Sequence, residues 1–204
     1  MKNGFFKSRW IFYLIFVLAV VLLILIFYPQ REIKVIDGDS VVLESGEGVR
    51  FIGIDTPEDE EPFFKEAMKA NQEILKTGEI VLEYDIDRQD QWGRTLAYVW
   101  VDSLLVNAEL IKRGLAWVYS HSPNLKYRDY LCSLQTQARE EKIGIWSIPV
   151  SEKEEYYIGN KSSFRFHRPD CRYASQMADG NKIIFKTREE ALDSCYSPCR
   201  YCKP

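Results

Sequence analysis

Arg50, Asp55 and Glu58 fall within nine residues, RFIGIDTPE, and Asp39 precedes them in IDGDS. Two carboxylates suit a hard divalent cation, which takes oxygen ligands. A third carboxylate can take a proton from water, and a guanidinium fork matches two oxygens of a phosphate. Farther on, QWGRTLAYVW brings a second guanidinium, Arg94, to the start of an apolar strand. The set suits water attack on a phosphodiester. Each piece also has an ordinary use. Asp37-Gly38-Asp39 is a hairpin-turn signal, and Asp55-Thr56-Pro57-Glu58 reads as a helix start with Asp55 as cap and Glu58 as capping-box partner. Both arginines could be strand surface. Alternation along the strand does not by itself bring Asp55 to Arg50; a twist or bulge is needed.

The elements that would position these residues are short. REIKVIDGDSVVLESGEGVRFIGID reads as three strands with turn signals at Asp37-Gly38 and Gly46-Glu47-Gly48. A helix is expected from about Pro62 to Lys76, with Phe63, Phe64, Ala67, Ala70 and Ile74 at helical spacing and Gly78 closing it. EIVLEYDID and GRTLAYVWVD follow as strands, with a short one at Leu104 to Val106. Asn107 can cap a brief helix that Gly114 stops, and LAWVYSHSPN is strand or loop. A longer helix, Tyr127 to Lys142, would bury Tyr130, Leu131, Leu134 and Ala138. Strands first, one inserted helix and two trailing helices predict an α+β plan, a small closed barrel with packed helices.

The first thirty residues belong to no such domain. Trp10 to Tyr28 is an unbroken run of nineteen apolar or aromatic residues, about enough for a helix to cross the roughly 30 Å hydrocarbon core. Lys2, Lys7 and Arg9 precede it, which predicts a single-pass anchor with a cytoplasmic N-terminus and an extracytoplasmic remainder. A cleaved signal peptide is the alternative; the length of the run and the lack of small residues at Phe27-Tyr28-Pro29-Gln30 argue against it. The net charge of -3 is unevenly spread: +3 over residues 1–30, -8 over 31–150 and +2 over 151–204. An acidic middle domain is no polyanion sponge, so contact with nucleic acid would need a bound cation and locally placed arginines. The expected layout is an anchor at 1–30, a catalytic domain at 31–148, a linker at 149–156 around Pro149 and the charged SEKEE, and a small domain at 157–204.

The pieces VIDGDS, VRFIGIDTPE, WGRTLAYVWVD, LIKRGLAWVY and EEKIGIWS together resemble the staphylococcal-nuclease (thermonuclease) family, in order and spacing, over roughly Ile33 to Ser147. The resemblance implies a five-stranded OB-fold barrel with packed helices. It places the calcium ligands at Asp39, Asp55 and the Thr56 carbonyl, the general base at Glu58 and the phosphate-binding arginines at Arg50 and Arg94. It also implies cleavage of the 5′ P–O bond of DNA or RNA, leaving 3′-phosphates. Trp92, ahead of the Gly-Arg pair, suits stacking on a base or sugar. Tyr119 could contact substrate or simply pack, and no role is assigned to His121.

The segment from Tyr157 onward has too few residues for a hydrophobic core to stabilise it easily alone. His167-x3-Cys171 and Cys199-x2-Cys202 have the spacing of a structural zinc site. Disulfides are the competing reading, given the extracytoplasmic expectation, although a histidine has no use in one. The segment resembles the zinc module of Ada-type methyl-phosphotriester repair proteins. His167 stands where that family's methyl-accepting cysteine would be, so a structural or DNA-contacting module without methyl transfer is expected. Arg165, Arg168, Arg172, Lys182, Lys186 and Arg188 make it basic. Cys132 is expected to be a small buried apolar residue, and Cys195 lies outside the ligand set; a bridge between them is conceivable, though nothing in the sequence places them together. The expected function is a calcium-dependent nuclease for DNA and RNA at the membrane. The alternative is a non-catalytic nucleic-acid capture protein, and no protein partner is deducible.

Overall fold

The structure, a computed structural model, describes residues 13–20, 23, 33–150 and 154–204. Ile33–Pro204 form one compact unit, distinct from Met1–Glu32. Most of the expected span at 10–28 lies outside the described residues. Within it, residues 13–20 are helical, and among the described residues no helix is long and apolar enough to cross a membrane.

The compact unit opens with β1 (Lys34–Val35), β2 (Ser40–Val42), β3 (Gly48–Phe51) and β4 (Gly53–Asp55), followed by α1 (Phe64–Leu75). Next come β5 (Ile80–Glu83), β6 (Thr95–Val101), β7 (Leu104–Leu105), α2 (Val106–Lys112), β8 (Trp117–Tyr119) and α3 (Arg128–Glu140). The main sheet runs β1-β2-β3-β6-β5 with β7 beside β6, while β4 pairs with β8. The expected closed five-stranded barrel is, in its hydrogen bonds, this curled six-stranded sheet plus a two-stranded pair; the α+β plan holds. Gly53 is the reason for the division. At φ +81°, a conformation that side chains resist, it bends the chain so that β3 pairs with β6 and its continuation β4 pairs with β8. Val49, Phe51, Ile54, Ala97, Val99, Leu110, Ile111, Val118 and Leu131 fill the core between sheet and helices.

Some expectations need correction. The helix after DTPE begins at Phe64, so Asp55 and Glu58 do not cap it. Asn107 lies inside α2, which starts at Val106; its amide accepts from Val99 N at 2.9 Å and donates to Ile52 O at 2.8 Å, tying β6 to the bend. On α3 the buried face is Leu131, Gln135 and Ala138, while Tyr130 is exposed. Gln135 is buried because its Oε1 accepts from Val118 N at 2.8 Å, which a purely apolar face cannot offer.

The C-terminal segment carries β9 (Tyr157–Asn160), β10 (Arg165–His167), α4 (Arg172–Ser175), β11 (Lys182–Phe185), α5 (Arg188–Asp193) and β12 (Ser197–Pro198). Its sheet runs β11-β9-β10-β12 over its own small core of Tyr157, Phe166, Phe185, Ala191, Leu192 and Tyr196. The segment is fastened to α3. Cys132 on α3 is not simply an apolar filler: it is disulfide-bonded to Cys195, with Cα atoms 5.9 Å apart. Beside this bond, Arg128 donates to Ser194 O at 3.0 Å and Arg139 pairs with Asp193 at 2.7 Å.

Candidate active site and metal cluster

The bend at Gly53 gathers the residues that alternation alone leaves apart. Arg50 on β3 lies opposite Ser40 on β2, next to Asp39. Its Nε is 3.2 Å from Asp39 Oδ1, and its Nη2 donates to Asp55 Oδ1 at 3.2 Å. Asp39 in turn holds the DTPE turn, accepting from Thr56 N at 2.7 Å and Thr56 Oγ1 at 3.2 Å. Gly38 permits this approach, because a Cβ there would sit 2.6 Å from Thr56 Cγ2. The turn is pinned from behind by Asn71 of α1, whose Nδ2 donates to the carbonyls of Asp37 and Gly38 at 3.2 and 3.1 Å. Sequence reading missed Asn71, although it is a polar residue on the apolar face of α1 marked by Ala67, Ala70 and Ile74.

Asp39, Asp55 and Thr56 are buried, and Glu58 is exposed at the rim. Burial pushes the Asp39 carboxyl up to about 6 against the opposing charge of Arg50, with Asp37 and Asp55 adding repulsion. Asp55 is equally buried, but the Arg200 hydrogen bond and the charges of Arg50, Arg200 and Arg165 outweigh desolvation and hold it below the usual carboxylate range.

Arg200 and Arg165 come from the C-terminal segment, and neither was among the expected active-site residues. Arg200 Nε donates to Asp55 Oδ2 at 2.8 Å and Nη2 to Thr56 O at 2.8 Å; Nη2 also bonds Asp55 Oδ1 and Nη1 bonds Glu58. Arg165 Nη2 donates to Asp55 Oδ2 at 3.1 Å, and its guanidinium lies over the Tyr119 ring at 4.2 Å from the centroid. Nothing in the sequence connects Arg200 with a turn about 145 residues earlier. Both carboxylate oxygens of Asp55 and the Thr56 carbonyl thus converge on one cationic group. This donor set of hard oxygens fits a divalent cation.

Arg50, Arg94, Trp92, Tyr119, His121 and Asn124 line a 400 Å³ cavity beside the carboxylates. Arg94 is half exposed and oriented by Asp90, which accepts its Nε at 2.7 Å. Trp92 is exposed, with the Arg94 guanidinium 5.3 Å from its ring. Tyr119, opposite Gly53 in the β4–β8 pair, is half-buried, and His121 stands edge-on to it at 6.2 Å.

His167, Cys171, Cys199 and Cys202 bring four ligand atoms within 4.8 Å of one another. A tetrahedral site with metal–sulfur bonds of about 2.3 Å has edges of about 3.8 Å, so these donors fit a single ion with little movement. Arg168 N donates to Cys202 Sγ at 3.3 Å, the kind of backbone contact that supports a ligating thiolate. The basic residues of this segment do not form one open patch. Arg188 binds the Pro204 carbonyl at 2.9 Å, Arg168 pairs with Glu154 at 2.8 Å, and Arg165 faces Asp55.

A curled sheet that presents carboxylates and guanidiniums beside a nucleotide-sized cavity defines the class: an OB-like hydrolase for phosphodiesters. The chain belongs to the staphylococcal nuclease family and is a hydrolytic nuclease. The family's sequence model, described as Staphylococcal nuclease homologue, matches residues 48–148. Arg50, Asp55, Glu58 and Arg94 fall inside that match; Asp39 and the C-terminal segment fall outside it. The chain is 39% identical over 126 residues to the Thermonuclease of Staphylococcus hyicus, covering 57% of this chain and 75% of that protein. It is 40% identical over 125 residues to Endonuclease YncB of Bacillus subtilis, covering 56% and 59%. It is 41% identical over 125 residues to the SPbeta prophage-derived endonuclease YokF of the same organism, covering 56% and 42%. The chain therefore spans less than two thirds of either Bacillus protein.

Proposed function

We propose that this protein is a calcium-dependent nuclease that hydrolyses DNA and RNA outside the cytoplasm. The observation that carries the reading is the convergence of Asp39, Asp55 and the Thr56 carbonyl beside Glu58 and Arg50, at the edge of the cavity that Arg94 lines. Asp39, Asp55 and Thr56 would hold calcium, whose charge would neutralise a phosphate oxygen. Glu58 takes the proton of the attacking water as the new oxygen–phosphorus bond forms and the bond to the 5′ oxygen breaks. That oxygen leaves with a proton from solvent. Arg50 and Arg94 hold the phosphate and its added charge, with Trp92 and Tyr119 as surfaces for base or sugar. His167, Cys171, Cys199 and Cys202 would hold a structural zinc, in a module similar to the Ada-type one and lacking methyl transfer.

Two features support a site outside the cytoplasm: Lys2, Lys7 and Arg9 ahead of the apolar run, and the Cys132–Cys195 disulfide. The run itself would serve as the anchor. The test is degradation of single-stranded and duplex DNA by the purified protein in calcium, in chelator, and by Glu58→Gln in calcium. Cutting that needs calcium and falls about 10²-fold or more in Glu58→Gln is expected. Tight DNA binding without cutting under every condition would overturn the proposal in favour of nucleic-acid capture.

A further inference from the structure

Three side chains of the C-terminal segment grip the DTPE turn and the residues just after it. Lys203 pairs with Glu61, Arg165 with Asp55, and Arg200 with Asp55, Thr56 O and Glu58. Arg200 stands between Cys199 and Cys202, two members of the metal cluster, so its backbone is fixed by the very residues that would hold the second ion. At the nuclease site three guanidiniums (Arg50, Arg165, Arg200) face three carboxylates (Asp39, Asp55, Glu58). The local formal charge is closed without any divalent ion.

We propose that Arg200 determines the cation requirement of this nuclease: it is a built-in competitor that calcium must displace from Asp55 and Thr56 before the site can work. The inference rests on the calcium reading given above. Each Asp55 oxygen already accepts from two guanidiniums, Oδ1 from Arg50 and Arg200 and Oδ2 from Arg165 and Arg200, and Arg200 also holds the Thr56 carbonyl, so an ion bound to these three oxygens has to take the place of the Arg200 fork. The same guanidinium ties up Glu58, so one displacement opens the cation position and frees the base together. Arg200 is suited to the task. Its planar fork matches the paired oxygens of a carboxylate, and a guanidinium keeps its charge at any working pH. Calcium affinity is then lowered by the work of removing a well-bound guanidinium, and anything that draws the Cys199–Cys202 turn away raises it.

The test is calorimetric titration of calcium into the full protein and its Arg200→Gln, Lys203→Ala and Asp55→Asn variants, without nucleic acid. Arg200→Gln is expected to bind calcium about tenfold or more tightly than the parent. Its half-maximal calcium for DNA cleavage should fall by a similar factor, while Lys203→Ala, which loosens the grip but leaves the Arg200 fork in place, gives a smaller shift in the same direction. Equal calcium affinity in parent and Arg200→Gln would overturn the inference and leave the calcium site standing. Unchanged calcium affinity with a lower kcat in Arg200→Gln would also overturn it, assigning Arg200 to the phosphate instead. Should the parent and Arg200→Gln take up calcium no better than Asp55→Asn, the calcium reading falls and this inference with it.

Discussion

Asn71 shows how much of the site depends on a residue with no part in the chemistry. Its amide holds the carbonyls of Asp37 and Gly38, and that turn delivers Asp39 to Thr56. Asn71→Ala removes both bonds from a fully buried position, so a loss of about 1–3 kcal/mol is expected in chemical denaturation. Cleavage activity should fall with it as Asp39 loses its anchor. At this scale Arg50, Asp55, Glu58 and Arg94 stood out as candidates because each has a residue type that phosphodiester chemistry uses. Asn71 announced itself only by polarity on an apolar face, and Arg200 by nothing, because its partners are fixed by packing between distant segments.

The elements hold together through polar bridges as well as apolar burial. Glu83 of β5 accepts from Trp100 Nε1 of β6 at 2.7 Å and from Tyr127 OH at 3.0 Å, and it pairs with Lys126 just before α3. Burial raises the Glu83 pKa, but these three donors outweigh it and the net shift is downward from 4.5. A carboxyl whose folded value is depressed contributes stability above its unfolded value and loses it as pH falls through the folded one. Thermal melts of Glu83→Gln should therefore match the parent most closely at about pH 3 and fall below it by pH 6. Most strands and helices were readable from apolar spacing to within a few residues. The bend at Gly53 was not: spacing signalled that some twist was needed but carried no information on where φ turns positive. Asn107 misled for a related reason, since asparagine favours helix caps yet here joins β6 to the bend at Gly53 from within α2.

For the molecule as a whole, the sequence suggests a chain of parts joined by a charged stretch, and the compact unit instead docks its last fifty residues against the catalytic face. Sequence separation hides such docking, because Cys132 and Cys195 are 63 positions apart and five cysteines leave many pairings open. In the chain-entropy description, a loop of that size restrains the unfolded chain by about 4 kcal/mol. Replacing both cysteines by serine should lower the unfolding free energy by a large part of that amount in denaturant titrations, and reductant should reproduce the effect in the parent.

The same bond closes residues 132–195, with His167 and Cys171 of the metal cluster among them, into a covalent ring. A protease that cuts anywhere between Cys132 and Cys195, the charged stretch near Pro149 included, opens the ring without dividing the molecule. Both fragments stay joined and migrate as one species until the sulfur bridge is reduced. Arg200 would thus remain a tethered neighbour of its carboxylates after a nick, held at an effective concentration that dilution does not change.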